Sequence, residues 1–485
     1  MINSNMFLIT ALLSPILVTI FTVIFSSYKN FRDSLGIIGG IVSFICSLVV
    51  AQKVINNETQ EMIIVNITNN LDIFFKVTPL GAIFSLLCSG LWILAAMYSV
   101  GYMRGNNESN QTRFYSFYSI SIFGALAISW SGNLLTLFIF YEFLTFSTYA
   151  LVAHKQDEKS FRSGKLYLGI LVGTSVMLFL PAIIWVWIIA GTTDFTAGGI
   201  LKDKISYSQS AILLMLFSFG IGKAALMPFH WWLPAAMVAP TPVSALLHAV
   251  AVVKAGVFSV LMIICYIFGY EFIYESGSGY LLVWTSVITL FLASVIAMYQ
   301  DDLKARLAYS TVSQLSYIVL GGAIATHYSV IGSISNIMMH GVGKITLFFC
   351  AGAIYVCAKI TKISDLNGIG ITMPFTFVAF AFGALSIIGI PPFGGSWSKF
   401  YLLLGAAQSE LTIIILILAV STILNTFYLL EPVFRAFFLD KKQDLVIRSY
   451  PLTIFPAIIS SLLIIILFFY VEPLLKLINM IVGKT

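Results

Sequence analysis

The chain has 485 residues, 59% hydrophobic and 9% charged, with 26 Lys and Arg against 20 Asp and Glu for a net charge of +6. About a quarter of the residues of a soluble domain are charged, so this composition excludes a water-soluble globule, and a mean hydropathy of +0.98 points to a chain solvated by lipid. The positive charge does not mark nucleic-acid binding, because the basic residues are scattered through short segments and form no stripe.

Crossing a hydrocarbon core of about 30 Å takes roughly 20 apolar residues. Such runs recur from end to end and predict an all-α polytopic membrane protein of about 14 transmembrane helices, near 7–25, 34–52, 77–99, 114–131, 133–153, 166–189, 210–228, 242–268, 281–299, 306–325, 329–357, 374–408, 411–430 and 452–471. The first run lacks a basic n-region and an A-x-A-like site, so it reads as a retained helix and not a signal peptide. The longest polar stretches, 52–76 and 192–210, are too short for a folded soluble domain. Chemistry is therefore expected inside the membrane or with partner subunits.

Loops after odd-numbered spans are rich in Lys and Arg, from Lys29 and Arg32 through Lys155, Lys159, Lys304 and Arg306 to Lys442 and Arg448. Loops after even-numbered spans hold only Lys53, Lys76, Lys202 and Lys204, and Lys476 and Lys484 lie in the tail. By the positive-inside rule the odd loops are cytoplasmic and both termini outside. Cys46, Cys88, Cys265, Cys350 and Cys357 sit in apolar runs without metal-ligand spacing and read as packing residues. No GxGxxG, Walker or haem-attachment motif occurs, so no cofactor is expected and any redox chemistry belongs to another chain.

Four lysines remain inside the spans, Lys223, Lys254, Lys344 and Lys399, and no arginine joins them. Arginine stays charged under nearly all conditions, whereas a desolvated lysine can release its proton near neutral pH, which is what a proton relay needs. A lysine near a helix end can snorkel to the headgroups, but Lys254 and Lys344 lie midway along their runs, where an ionisable group costs at least about 3 kcal/mol. Glu142 is the one acid near the middle of a span and Lys223 is a candidate partner; opening such a pair changes a lysine's affinity for protons. Glu431, at a span end beside Pro432, reads as a cap or ion pair. His248 and His340 fall inside spans and suit a shuttle between lysines, while His230 fits a structural role equally well.

The segment KAALMPFHWWLPAAMVAPTPVSALLHAVAVVK runs from Lys223 to Lys254. Pro228 breaks its helix just after Lys223, with Gly220 and Gly222 loosening the turn before. In GIPPFGGSWSKF, Pro391 and Pro392 break a second span before Lys399. Backbone freed in lipid must line a hydrated path, and lysine before proline in one copy and after it in the other is the order of inverted repeats. The expected organisation is 1–113 (helices 1–3), repeat 114–268 (helices 4–8), repeat 281–430 (helices 9–13) and 431–485 with helix 14.

Glu142 in FYEFLTFSTY, the APTPVSALLHA core, DDLKARLAYSTVSQLSYI from Asp301, NIMMHGVGKITLFFCAG from Asn336 and GIPPFGGSWSKF together resemble the antiporter-like subunits shared by Mrp-type sodium/proton antiporters, the complex I membrane arm and membrane-bound hydrogenases. The resemblance implies a 14-helix fold with inverted repeats and a central axis relaying protons. It further implies that Glu142 and Lys223 form a modulating ion pair, that Lys254 is the central relay, that His340 and Lys344 continue the axis, that Lys399 is its terminus and that His248 is a member. The chain stops soon after span 14, which favours a likeness to the shorter subunits, the D-type members of the Mrp antiporters or their complex I counterparts. The expected function is a proton-translocating subunit of a multisubunit cation/proton antiporter in a bacterial inner membrane, with protons and possibly Na+ as cargo and other membrane subunits as partners. The alternatives are a pumping subunit of NADH-quinone oxidoreductase or of a membrane-bound hydrogenase and, behind these, a stand-alone secondary transporter.

Overall fold

Inside a bilayer each segment has to satisfy its own backbone hydrogen bonds, and the apolar runs fold accordingly. The computed structural model describes residues 2–68, 71–441 and 450–483; Lys442, Arg448 and Lys484, counted above, lie outside them. In chain order the long helices are α1 (Ile2–Ile24), α2 (Lys29–Ile55), α3 (Pro79–Gly105), α4 (Gln111–Ser129), α5 (Leu134–Val152) and α6 (Glu158–Ala190). They continue with α7 (Tyr207–Gly220), α8 (Thr241–Phe268), α9 (Tyr280–Met298), α10 (Leu303–Ile324), α11 (His327–Ala358), α12 (Pro374–Ile388), α13 (Gly395–Gln408), α14 (Thr412–Phe438), α15 (Pro451–Phe469) and α16 (Glu472–Val482). Among the described residues, 11 helices are long and apolar enough to cross a membrane, which makes this a multi-pass membrane protein. The other expected spans correspond to α4, to α7 with the irregular segment after it, and to the pair α12 and α13.

Three helices form the enclosed centre. The apolar windows of α8 and α10 are 100% buried and that of α11 94%, against 39% for α1 and 33% for α6, α14 and α15. Side chains on the central three therefore meet protein almost exclusively.

Both expected breaks are present, in different forms. α7 stops at Gly220, Lys223 sits in a 3-10 turn (Gly222–Ala224), and Ala225 follows with φ 56°, so the helix ends before the lysine and not after it at Pro228. Regular helix resumes only as the short Trp232–Ala235. Gly256 of α8 packs on this turn so closely that a Cβ there would collide with the backbone of Lys223 and Ala224. In the second break α12 stops at Ile388, Gly389 takes φ 90°, which favours glycine, and α13 resumes at Gly395 carrying Lys399.

Two further features depart from the sequence reading. α10 begins at Leu303 and not near residue 306, which brings Lys304 and Arg306 into the helix. Arg306 is buried, bonds the carbonyls of Gln300 and Tyr428, and pairs with Glu431 at 2.6 Å, so α10 holds a buried arginine near its end, as α2 does with Arg32. Glu431 also meets Arg435 at 2.8 Å, the ion-pair role expected of it. The stretch 52–76 contains an antiparallel hairpin, Glu61–Thr68 with Leu71–Lys76, because EMIIVNIT and LDIFFK are rich in β-branched and aromatic residues. It is tied to the α4–α5 connection by Lys76 N–H donating to Trp130 O.

Candidate functional site

Lys223 is fully buried, and the turn that carries it aims its ammonium at α5. Nζ donates to Tyr141 O at 2.8 Å and to Thr145 Oγ1 at 2.6 Å, and lies 3.1 Å from the centre of the Tyr141 ring. Glu142 neighbours Tyr141 on the same helix, close enough to act on Lys223 electrostatically. Its two carboxylate oxygens are nevertheless buried without a hydrogen-bond partner. The direct Glu142–Lys223 ion pair is thus not made in this structure, because Lys223 is held by a carbonyl, a hydroxyl and a ring face of the helix that bears the acid. Pro228 is exposed in the turns that follow, and His230 beyond it lies 4.5 Å from the Trp231 ring, tilted against it.

α8 contains a π-turn, Leu246–Val250, in which Ala251 N–H reaches back to Leu246 O at 2.9 Å. Such turns are frequent at functional sites because they free carbonyls and re-aim side chains. This one carries His248, and Cys88 Sγ donates to the Val250 carbonyl at 3.2 Å. One turn later Lys254, fully buried, places Nζ 2.6 Å from His340 Nδ1 on α11. His340 Nε2 and both nitrogens of His248 have no partner, and His248 packs 4.8 Å from the Phe348 ring. Lys344, four residues after His340 and so on the same face of α11, donates to Ser310 Oγ at 2.7 Å and Leu307 O at 3.2 Å.

Lys399 is only partly buried. Its Nζ donates to Thr422 Oγ1 at 3.1 Å and lies 5.0 Å from the Tyr317 ring centre. Beside it is a cavity of about 540 Å³ lined by Gly389, Pro391, Trp397 and Thr422 among others, with Pro392 exposed next to Pro391. A second cavity, about 240 Å³, opens among the segments that follow α5, α9 and α11 and is lined by Lys155, Asp157, Lys159, Thr241, Asp302 and Lys304. There Lys304 Nζ donates to Ala239 O at 2.7 Å. In the flanking loops, hydrogen bonds from the Ser160 N–H and hydroxyl hold the Asp157 carboxyl below its usual range. Partial burial pushes Asp301 up, but bonds from Ser364 outweigh it and leave that carboxyl lowered.

The structure therefore joins Lys254 to His340, with Lys344 one turn along the same face of α11 and His248 on the π-turn of α8, and sets the Glu142–Lys223 and Lys399 ends in separate surroundings. The sequence reading missed the partners of the lysines, Tyr141, Thr145, Ser310, Tyr317 and Thr422. One signal for Ser310 was available: α10 is fully buried yet has the lowest hydropathy of the 11 apolar helices, 1.2, because AYSTVSQLSY is dense in hydroxyls. The five cysteines are buried free thiols.

Comparison with known proteins adds independent support. Residues 131–425 match the family described as NADH:quinone oxidoreductase/Mrp antiporter, TM. The putative antiporter subunit mnhA2 of Staphylococcus haemolyticus is 30% identical, over 96% of this chain and 61% of its own length, so the chain spans about three fifths of that relative. The NADH-quinone oxidoreductase subunit N of Desulforudis audaxviator is 30% identical over 74% of this chain and 72% of its own. Among solved structures, a chain of the Mrp complex from Dietzia sp. superposes with TM-score 0.87 at 20% identity, covering 99% of this chain and 97% of that one. A chain of the archaeal membrane-bound sulfane sulfur reductase does so with 0.85 at 21%, covering 98% and 96%.

Proposed function

Because the chain belongs to the NADH:quinone oxidoreductase/Mrp antiporter transmembrane family, we propose that it is a proton-translocating membrane subunit of a multisubunit cation/proton antiporter, relaying protons along Glu142, Lys223, Lys254, His248, His340, Lys344 and Lys399. One observation carries the reading: Lys254 Nζ lies 2.6 Å from His340 Nδ1, with Lys344 one turn further on the same helix. A buried lysine and imidazole this close repel when both are protonated, so a proton entering one site displaces the next. Lys223 responds to the state of Glu142 without touching it, which makes their separation a control input at one end. Lys399, beside an open cavity, is the exit or entry at the other.

The proposal includes two inverted five-helix units, 114–268 and 281–430, supported by one broken helix in each. It also includes a bacterial inner membrane with the basic odd loops cytoplasmic and both termini outside, and a place like that of the D-type Mrp chains. The 74% of the chain that matches a quinone oxidoreductase subunit supports a second reading, a pumping subunit of a redox complex. Mild-detergent co-purification from the native membrane separates them. Small hydrophobic partners alone establish the antiporter; partners with iron-sulfur, flavin or nickel centres establish the redox pump.

A further inference from the structure

The lysine series leaves a gap. Lys344 is on α11 and faces α10, whereas Lys399 is on α13 and faces α14, and among the described residues no histidine or acid lies between them in contact with either. What fills the gap is a file of hydroxyls and one amide from α10 and α14. Lys344 Nζ donates to Ser310 Oγ at 2.7 Å; Ser310 and the Tyr428 hydroxyl are 3.2 Å apart; the Tyr428 hydroxyl donates to Asn425 Oδ1. The Tyr428 hydroxyl stands between two acceptors, Ser310 Oγ and Asn425 Oδ1, and its single proton serves one of them at a time, so the file from Lys344 to Asn425 has two settings.

At the far end the Tyr317 ring lies under Lys399, which bonds Thr422. Asn425 Nδ2 and the Tyr317 hydroxyl are buried and make no hydrogen bond. Unsatisfied polar groups in an apolar interior cost about 1–3 kcal/mol each, a cost with no structural return, since alanine or phenylalanine would pack without it. Ser310, Tyr317, Asn425 and Tyr428 are all nearly or fully buried, so lipid exposure does not account for them.

We propose that Ser310, Tyr428 and Asn425 form the proton path between Lys344 and Lys399, with Thr422 and the Tyr317 ring positioning the Lys399 amine. The inference rests on the relay reading above. In each transfer the Lys344 ammonium gives a proton to Ser310 Oγ, the Ser310 proton passes to Tyr428, and the Tyr428 proton passes to a water molecule at the Asn425 amide and thence to the Lys399 amine. One proton enters and one leaves, the hydroxyls end pointing the opposite way, and their rotation resets the file. Asn425 keeps its protonation state throughout and acts as a positioning residue.

The test uses the purified complex in liposomes, with a potassium/valinomycin potential driving proton uptake that an entrapped pH dye records, in H2O and D2O. Tyr428→Phe and Asn425→Leu are expected to slow uptake on the order of tenfold, the scale of one lost hydrogen-bonded link, and to raise the solvent isotope effect, which a packing defect does not do. Ser310→Ala is expected to act alike and Ser310→Thr, which keeps the hydroxyl, to restore the rate, so that the proposal stays open to test if Tyr428→Phe fails to assemble. Wild-type rates and isotope effects in Tyr428→Phe, Asn425→Leu and Ser310→Ala, with Lys254→Met inactive, overturn the path and leave the lysine axis standing. Wild-type uptake in Lys254→Met overturns the axis and the path together.

Discussion

The two broken helices hold a lysine each, yet they present it to opposite kinds of surroundings. Lys223 is sealed: no part of it is exposed, its ammonium has two oxygen acceptors and a ring face, and Gly256 presses backbone to backbone on its turn. Lys399 has one hydroxyl acceptor and a cavity of about 540 Å³ beside it, and a Cβ on Gly389 would meet only its flexible side chain. An enclosed lysine near a buried acid can answer to charge without exchanging protons with bulk water. The same sequence device, a lysine beside prolines and glycines, thus sets one lysine in closed surroundings and the other beside an open cavity.

The comparison breaks most decisively if the two lysines behave alike on removal. Lys223→Met leaves Glu142 buried without a nearby positive charge and is expected to lower stability on the order of 2 kcal/mol, at the small end for a broken buried pair because the groups do not touch. Lys399→Met is expected to impair transport while the thermal midpoint of the purified complex stays put. Adding Glu142→Gln to Lys223→Met is expected to recover the stability; equal midpoints for all three variants contradict the sealed-and-paired description.

Next in size is the contrast between glycines. Gly256→Ala forces backbone against backbone and is expected to cost up to about 3 kcal/mol, seen as a loss of intact complex on native gels. Gly389→Ala strains one left-handed residue and pushes a movable side chain, expected at about 1–2 kcal/mol. The reverse order would mean that the second break is the rigid one. Glu142→Gln alone sharpens the control assignment. With the neighbouring anion gone, a protonated lysine is less favoured, so the alkaline limb of the transport profile is expected to move to lower pH by on the order of one unit, whereas a scaffolding acid would change the amplitude only. The smallest expected effect lies outside both breaks. Asp157 caps α6 through the Ser160 N–H in a capping box, and Asp157→Ala is expected to cost about 1 kcal/mol in thermal midpoint with transport unchanged.

Much of the architecture was legible because lipid imposes it. A run of about 20 apolar residues has one low-energy fold in a bilayer, so, among the described residues, 11 of the expected spans recur as helices long and apolar enough to cross it. The start of α10 was misplaced because Lys304 and Arg306 look like loop charges. Arg306 is helical because its guanidinium finds carbonyls and Glu431 from a helix more than 120 residues away. The hairpin 61–76 was read as a polar loop because its strands are short and lie between helices.

The lysines, histidines and proline breaks announced themselves, since a charge or a missing backbone donor is conspicuous in an apolar run whatever its neighbours. Composition and spacing alone thus determined a membrane bundle with two broken helices and a set of buried titratable groups. Which groups touch was decided by packing. Lys254 meets His340 because α8 and α11 lie together at the centre, Lys223 meets Tyr141 and Thr145 where Glu142 was expected, and Ser310, Tyr428 and Asn425 join across helices α10 and α14. These contacts link residues 78 to 118 positions apart, apart from the local Tyr428–Asn425 bond. Serine, tyrosine and asparagine are ordinary within any one helix, and they become a path only when the helices that carry them are brought together.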